Sequence, residues 1–232
     1  MNIKKHIPNI LTLLNLFCGC IAVIFISLHR YENAFLMVSL GIFFDFFDGF
    51  LARKFGVSGP LGVQLDSLAD MVTSGVAPGY MMYAMISDLE YDSEIFSYIA
   101  TAGFLITLGS CYRLANFNID TRQSDSFIGL PTPACSLLIM SLPLIDNGFI
   151  INMLHNQWVL ISISLLCAYV MNAEIPLFSL KIKNFSFQKY KLQIGFVLAS
   201  IIMIATLQFL AIPLIIITYV LLSVLNNLST KK

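Results

Sequence analysis

The sequence predicts an all-α protein, a polytopic bundle of about eight transmembrane helices with both termini in the cytoplasm. Of its 232 residues, 58% are hydrophobic and 11% are charged, whereas a soluble domain usually carries about 25% charged residues. Apolar stretches of roughly spanning length recur along the whole chain, and most Lys and Arg residues fall in alternate loops. We therefore expect a single integral membrane domain over residues 1–232.

Eight apolar segments account for the predicted spans. A helix that crosses a bilayer needs about 20 mainly apolar residues, and the fifth and sixth segments are shorter than this. A short turn near Ala211 and Pro213 separates the last two. The segments are 10–28, 33–54, 61–86, 94–117, 131–147, 157–173, 191–209 and 211–227.

The basic residues predict the orientation of the bundle. With both termini in the cytoplasm, only Arg30 of the 13 Lys and Arg residues lies on the outer side. Cytoplasmic loops of membrane proteins carry such an excess of positive charge. We therefore expect a multi-pass protein of the cytoplasmic (inner) membrane. The residues on or near the cytoplasmic side are Lys4, Lys5, Arg53, Lys54, Arg113, Arg122, Lys181, Lys183, Lys189, Lys191, Lys231 and Lys232.

Net charge and cysteine usage exclude some functions. The formal net charge is zero, so the chain has no basic field that would attract nucleic acid. The five cysteines lie in apolar stretches without a CxxC pair or a nearby histidine. We interpret them as small buried hydrophobic residues rather than as a zinc site or a disulfide framework.

Four aspartates lie inside the second and third predicted spans. Ionisable groups in a membrane are costly and usually mark a functional site. Asp45 and Asp48 are three residues apart, and Asp66 and Asp70 are four apart, so each pair shares a helix face. A short loop makes the two helices antiparallel neighbours, and the two pairs then reach similar depths. We expect the four carboxylates to converge in a cavity that opens to the cytoplasm.

Four converging carboxylates require either protons or cations, because they cannot all stay ionised in a low-dielectric setting without compensation. Oxygen ligands suit magnesium, calcium or manganese. Two divalent ions would offset the four negative charges, and a two-metal site also clamps phosphates during an in-line displacement. The alternative is a set of buried aspartates bonded to neighbouring helices, which we consider weaker for a chain with so little charge.

Small residues and one arginine continue the same helix faces. Gly49 and Ala52 follow Asp48 along span two, and Gly62 opens span three. Such residues allow close helix packing in lipid and can also admit a ligand. Arg53 lies at the cytoplasmic edge, where its side chain can extend into water or contact a phosphate.

The spacing D-x2-D-G-x2-A-R-x8-G-x3-D-x3-D resembles the signature of the CDP-alcohol phosphatidyltransferases, and all eight fixed positions match. The resemblance implies a helical membrane enzyme, usually a homodimer, that uses CDP-diacylglycerol. It implies that the four aspartates bind two divalent ions, Mg²⁺ or Mn²⁺, with Ca²⁺ as a non-productive substitute. Asp70 would also be the general base. The CDP moiety would lie against Asp48, Gly49, Ala52, Arg53 and Gly62.

The flanking segments resemble the phosphatidylserine synthases within that family, over roughly the first 145 residues. They include I7-P-N-I-L-T12, R113-L-A-N-F-N118 and G129-L-P-T-P-A134. This resemblance implies L-serine as the acceptor. It also places Asn9 and Thr12 near the nucleotide, although a helix-entry turn with an N-cap would explain the same residues.

Two positions depart from the family pattern. Gly59 stands where relatives commonly carry a hydroxyl residue, which makes Ser58 the candidate for that phosphate contact. Asn116 stands where a second arginine is common, so Arg113, alone or with Asn116, would hold the carboxylate or phosphate of a substrate. Arg113 as an interfacial anchor is an equal alternative.

Three other functions remain open at this stage. The same chemistry could use glycerol 3-phosphate or an inositol phosphate, which would call for an additional basic pocket. An ion-coupled transporter would need polar residues along a path across the membrane, whereas these charges stop near one face. A structural scaffold would not need the aspartates.

Overall fold

The structure is a computed structural model that describes residues 6–89, 98–120, 127–178 and 191–230. Within these ranges the chain is helical apart from short turns and loops and one isolated antiparallel bridge, between Ile128 and Pro176. A π-helical segment, Met71–Val76, joins α3 to α4. The α-helices are α1 (Ile7–Ser27), α2 (Tyr31–Phe55), α3 (Pro60–Asp70), α4 (Ala77–Ser87), α5 (Leu105–Ile119), α6 (Thr132–Ser141), α7 (Gly148–Leu154), α8 (Gln157–Asn172), α9 (Lys191–Leu207) and α10 (Ala211–Thr230).

The all-helical class and the presence of membrane helices are confirmed. In the described part of the chain, three segments are long and apolar enough to cross a membrane: Ile7–Ser27, Tyr31–Phe55 and Gln193–Leu228. A bent pair, Thr132–Leu144 with Gly148–Leu154, counts as a fourth candidate. By length and composition alone the structure therefore has three or four candidate spans rather than the eight that the sequence predicts.

The apolar run Gln193–Leu228 contains two helices that lie side by side. The rings of Phe196 in α9 and Tyr219 in α10 have centroids 5.6 Å apart, whereas a straight helix would separate them by roughly 30 Å. The chain reverses at the 3₁₀ turn Gln208–Leu210, where Gln208 has a φ of 50°. The sequence prediction of two segments here agrees with this geometry.

The predicted span 131–147 corresponds to the helical stretch Thr132–Leu144, and the chain bends sharply at the end of that stretch. Helix α6 ends in a 3₁₀ turn, Leu142–Leu144, and the next helix, α7, is inclined to it by 109°. Pro143 lies in this turn, and proline cannot donate the backbone hydrogen bond that a continuing helix requires. The apolar composition of the segment concealed this break.

The turn between α2 and α3 positions the aspartates. Gly56 ends α2 in the left-handed conformation, with a φ of 65°, which glycine adopts without steric cost. Pro60 begins α3, and its fixed φ suits the first turn of a helix. Helix α3 therefore runs back beside α2, which places Asp66 and Asp70 opposite the aspartates of α2.

Close backbone packing lies directly beneath the aspartates. A Cβ atom added at Gly19 of α1 or at Gly41 of α2 would collide with the side chain of Thr73 in the π-helical segment. Beyond this level the core is apolar, with Ile26, Val38 and other fully buried side chains. The aspartates and the apolar core thus lie at different levels along the bundle.

Many of the charges that predict the orientation lie outside the described residues. These are Lys4, Lys5, Arg122, Lys181, Lys183, Lys189, Lys231 and Lys232. The beginning of the predicted span 94–117 also lies outside them.

Candidate active site

A cavity of about 640 Å³ lies between α1, α2, α3 and α5 and is closed on one side by residues 127–133. Asn116 does not line it; this residue is exposed near the end of α5. The other predicted site residues all line the cavity: Asn9, Thr12, Asp45, Asp48, Gly49, Ala52, Arg53, Ser58, Gly62, Asp66, Asp70 and Arg113.

The four carboxylates converge as the helical spacing predicts. Asp45, Asp48 and Asp66 each offer one oxygen, and these three oxygens lie within 4.8 Å of one another. The carboxyl group of Asp70 is within hydrogen-bonding reach of Asp45, and Asp70 is only 8% exposed. Among the residues that the structure describes, none of the four forms an ion pair with Lys or Arg within 4.0 Å. No direct ion pair with a described Lys or Arg therefore offsets the charge on this cluster.

The donor set fits a hard divalent cation. The donors are carboxylate oxygens, the ligands that Mg²⁺, Mn²⁺ and Ca²⁺ prefer. Oxygens bound to one Mg²⁺ at about 2.1 Å lie up to roughly 4.2 Å apart across an octahedron, and oxygens bound to Ca²⁺ lie somewhat further apart. The observed spread of up to 4.8 Å needs only small side-chain adjustments to enclose such an ion.

Helix α1 holds two of the carboxylates. The Thr12 hydroxyl lies 2.5 Å from Oδ2 of Asp48 and 3.1 Å from the carbonyl oxygen of Pro8. One turn further on, the side-chain amide of Asn15 donates to Oδ1 of Asp70 at 3.2 Å. A hydrogen bond to an ionised carboxylate is stronger than one between neutral groups. These contacts restrict the orientation of one carboxylate on each of α2 and α3.

Asn15 is a site residue that the sequence prediction missed. It is fully buried, and its backbone carbonyl accepts the Thr73 hydroxyl at 2.9 Å. Its Oδ1 has no hydrogen-bond partner among the described residues. A signal was present in the sequence, because Asn9, Thr12 and Asn15 are spaced three residues apart along an otherwise apolar helix.

Arg53 and two glycines form the mouth of the cavity. The Arg53 guanidinium lies against Gly49, where an added Cβ would approach Nη1 to 3.4 Å. Gly62 on α3 faces Oδ1 of Asn9, which would lie 3.9 Å from a Cβ there. Ser58 is exposed beside them. The mouth therefore combines a positive charge with backbone that a flat or bulky ligand can approach closely.

Arg113 lies on the opposite wall and is 6% exposed. Its Nε donates to the carbonyl oxygen of Leu130 at 2.6 Å, and its guanidinium lies 5.8 Å from the ring centroid of Phe117. Its Nη2 has no hydrogen-bond partner among the described residues. Buried donors in proteins are nearly always paired, so the unpaired Nη2 makes Arg113, which lines the cavity, a candidate to bind an anionic ligand.

Comparison with known proteins identifies the family. The family model described as CDP-alcohol phosphatidyltransferase matches residues 5–170. The chain belongs to the CDP-alcohol phosphatidyltransferase family. The matched range contains all the candidate site residues, and it ends before α9 and α10. The membership predicted from the aspartate motif is confirmed.

Individual relatives of this CDP-alcohol phosphatidyltransferase resemble it over 146 to 174 residues. The CDP-diacylglycerol–serine O-phosphatidyltransferase of Bacillus subtilis is 32% identical over 147 residues, 63% of this chain and 80% of the relative. The enzyme of the same name from Methanocaldococcus jannaschii is 35% identical over 146 residues, 63% of this chain and 64% of the relative. The archaetidylserine synthase of Methanothermobacter thermautotrophicus is 32% identical over 174 residues, 72% of this chain and 70% of the relative.

Proposed function

We propose that this chain transfers the phosphatidyl group of CDP-diacylglycerol to L-serine, giving phosphatidylserine and CMP, with two divalent metal ions as cofactors. The observation that carries the proposal is the convergence of the four aspartates and Arg113 on one cavity. Family membership supports the phosphotransfer chemistry. The names of the relatives, which include serine phosphatidyltransferases and an archaetidylserine synthase, support serine as the acceptor.

Asp45, Asp48, Asp66 and Asp70 would hold Mg²⁺ or Mn²⁺. Bound divalent ions stabilise the negative charge that develops on phosphate oxygens during transfer. Arg53, with Gly49, Ala52, Gly62, Asn9 and Thr12, would hold the CDP moiety at the mouth, and Ser58 is the candidate for a further phosphate contact. The described geometry supports this assignment because these residues all line the cavity.

Asp70 is the proposed general base. It takes the proton from the serine hydroxyl as that oxygen bonds to the lipid-side phosphorus, and the bond from this phosphorus to the CMP oxygen breaks. A base must lie within hydrogen-bond reach of the proton that it removes. Asn15 donates to Oδ1 of Asp70 and so restricts the orientation of this carboxyl group.

Arg113 is the proposed binding residue for the serine carboxylate. It lies near enough to Asp70 for the two charges to interact, and its Nη2 is unpaired among the described residues. A carboxylate bound there would orient the hydroxyl group of the same small molecule toward the base. The exposed position of Asn116 does not support a direct contact from that residue.

The cavity favours serine over a phosphorylated acceptor. Of the described residues that line it, Arg53 and Arg113 are the basic ones. If Arg53 binds the nucleotide diphosphate, Arg113 alone remains for the acceptor. One guanidinium can hold a carboxylate by a bidentate contact, whereas glycerol 3-phosphate or an inositol phosphate carries more charge.

The proposal includes the membrane arrangement. We expect a single domain of eight spans with cytoplasmic termini in the inner membrane, an active site that faces the cytoplasm, and a homodimer. The positive-inside distribution of the sequence supports the orientation. Cytidine would then stay in water while the acyl chains remain in the bilayer.

The direct test measures CMP release and lipid products from purified protein with CDP-diacylglycerol in mixed micelles. The acceptors are L-serine, glycerol 3-phosphate and inositol phosphate, each with Mg²⁺, Mn²⁺ or a chelator. We expect phosphatidylserine only when serine and a metal are both present. Faster turnover with either phosphorylated acceptor would reject serine but retain the chemistry. Undiminished turnover with the chelator would reject the metal-dependent mechanism, and ion flux without CMP release would favour a transporter.

A further inference from the structure

Arg113 is held by a short stretch of chain, residues 127–131, which we call the acceptor-side wall. The carbonyl oxygen of Leu130 accepts Nε of Arg113 at 2.6 Å. The amide of the same residue donates to the carbonyl oxygen of Val170 at the end of α8, at 3.1 Å. The direction of the guanidinium therefore depends on where this backbone lies.

The acceptor-side wall is paired with a second segment, residues 173–178. The amide of Leu177 donates to the carbonyl oxygen of Phe127, and the amide of Gly129 donates to the carbonyl oxygen of Ile175, each at 2.9 Å. Gly129 has a φ of 73°, and a Cβ at this position would collide with backbone of α8. The two segments are thus closely fitted.

Helix α10 holds the second segment in place. Three polar side chains, Tyr219, Ser223 and Asn227, are spaced four residues apart and so share one helix face. Tyr219 donates to the carbonyl oxygen of Phe178 at 2.8 Å, and Asn227 donates to that of Pro176 at 2.6 Å. The hydroxyl of Ser223, which is fully buried, accepts the amide of Phe178 at 3.3 Å.

Hydrogen bonds and the two backbone segments that they join therefore connect α10 to the guanidinium of Arg113. Helix α10 lies beyond residues 5–170, the range that the family model matches, and the sequence showed no motif there. A polar side chain on a lipid-facing helix is costly unless it is paired. Three such side chains on one face therefore require partners. Here all three are paired with backbone of one short segment.

We propose that Tyr219, Ser223 and Asn227 are positioning residues for the acceptor: they clamp residues 173–178 against the acceptor-side wall and so fix Arg113 in the orientation that binds the serine carboxylate. This inference rests on the proposed function of Arg113. It assigns the C-terminal helix a role in acceptor binding, separate from the aspartates and from the nucleotide.

The test compares Tyr219→Phe, Ser223→Ala, Asn227→Leu and the triple variant with the wild-type protein. Tyr219→Phe keeps the ring that packs on Phe178 and removes only the hydroxyl. One neutral hydrogen bond contributes a factor of about five, so we expect KM for serine to rise about 3- to 10-fold in single variants and more in the triple variant. KM for CDP-diacylglycerol should stay within about twofold, because the residues proposed to bind the CDP moiety are unchanged.

The matched control is Leu221→Ala on the same helix, where the side chain is 58% exposed. It should leave both KM values unchanged. If the wild-type protein makes phosphatidylserine and the triple variant shows no selective rise in KM for serine, the clamp is refuted while the proposed function stands.

Hydrogen exchange measures the clamp without relying on activity. The backbone amides of residues 127–130 and of Ile175, Leu177 and Phe178 should exchange at least about tenfold faster in the triple variant, whereas amides of α2 should not change. Unchanged exchange at both segments would refute the clamp even if the protein transfers no lipid to serine. Faster exchange throughout the protein would likewise refute a local positioning role. The single variants would then show which of the three contacts causes this general loss of protection.

Discussion

The two walls of the cavity are built in different ways. On one wall, α2 and α3 carry four aspartates at helical spacing, and none of them forms a direct ion pair with a described Lys or Arg. On the other wall, Arg113 depends on a carbonyl group from a separate loop, which is held in turn by α8 and by residues near α10. The four aspartates are thus positioned by residues that are close together in the chain, whereas Arg113 is positioned by contacts between distant segments.

The largest effect should come from Asp70→Asn. Asp70 belongs to the aspartate wall, the face of the cavity that Asp45, Asp48, Asp66 and Asp70 form. Removal of a general base typically costs about 10²- to 10⁴-fold in rate, and the loss of a metal ligand adds to this. We expect kcat for phosphatidylserine formation to fall at least about 10³-fold, with an unchanged melting temperature because the side chain keeps its shape.

The matched control for Asp70→Asn is Asp146→Asn, which alters an exposed aspartate that does not line the cavity. This variant should keep full activity. Wild-type turnover by Asp70→Asn would show that the role assigned to Asp70 is wrong.

The next effect should come from Asn15, which supports the same wall from α1. In Asn15→Leu the Asp70 carboxyl loses the donor at 3.2 Å and can rotate. We expect kcat to fall about 10- to 100-fold while KM for CDP-diacylglycerol stays within about threefold, as measured by steady-state kinetics. Leu13→Ala, on the exposed side of α1, is the control. A rise in KM for CDP-diacylglycerol without a fall in kcat would mean that Asn15 serves the nucleotide instead.

A pair of Arg→Lys variants separates the two walls directly. Lysine keeps the charge but loses the planar, bidentate geometry of arginine. Arg113→Lys should raise KM for serine about tenfold without affecting KM for CDP-diacylglycerol. Arg53→Lys, at the cavity mouth, should do the reverse. If both variants change the KM of the same substrate, Arg53 and Arg113 do not bind different substrates as proposed.

The smallest effect should come from Thr12→Val, which preserves shape and removes the hydroxyl that lies 2.5 Å from Asp48. We expect the Mg²⁺ concentration for half-maximal activity to rise about three- to fivefold, because one orienting hydrogen bond is lost. Thr101→Val is the control, since its hydroxyl donates to Tyr98 away from the cavity. Equal shifts in the two variants would contradict a specific role for Thr12.

The sequence predicted the aspartate wall well because its order is local. Helical periodicity places Asp45 with Asp48 and Asp66 with Asp70, and the turn at Gly56 follows from residues that are adjacent in the chain. The prediction of Asn116 as a binding residue came instead from the family resemblance, in which a second arginine is common at this position. At the end of α5, however, packing buries Arg113 and leaves Asn116 exposed, and spacing alone does not reveal this difference.

Features that depend on distant contacts were not predictable in this way. The support of Arg113 by Leu130, and of residues 173–178 by Tyr219, joins segments that lie far apart in the chain. The 109° bend between α6 and α7 was hidden because hydropathy reports the burial of a segment and not its direction. A one-dimensional pattern carries little information about either feature.

The most direct measurement is anomalous diffraction at the manganese edge from crystals grown with Mn²⁺ and a non-hydrolysable CDP-diacylglycerol analogue. Our account predicts two anomalous peaks enclosed by Asp45, Asp48, Asp66 and Asp70. It would be contradicted if protein with Mn²⁺-dependent activity showed no anomalous peak among these carboxylates, or if its manganese were bound elsewhere.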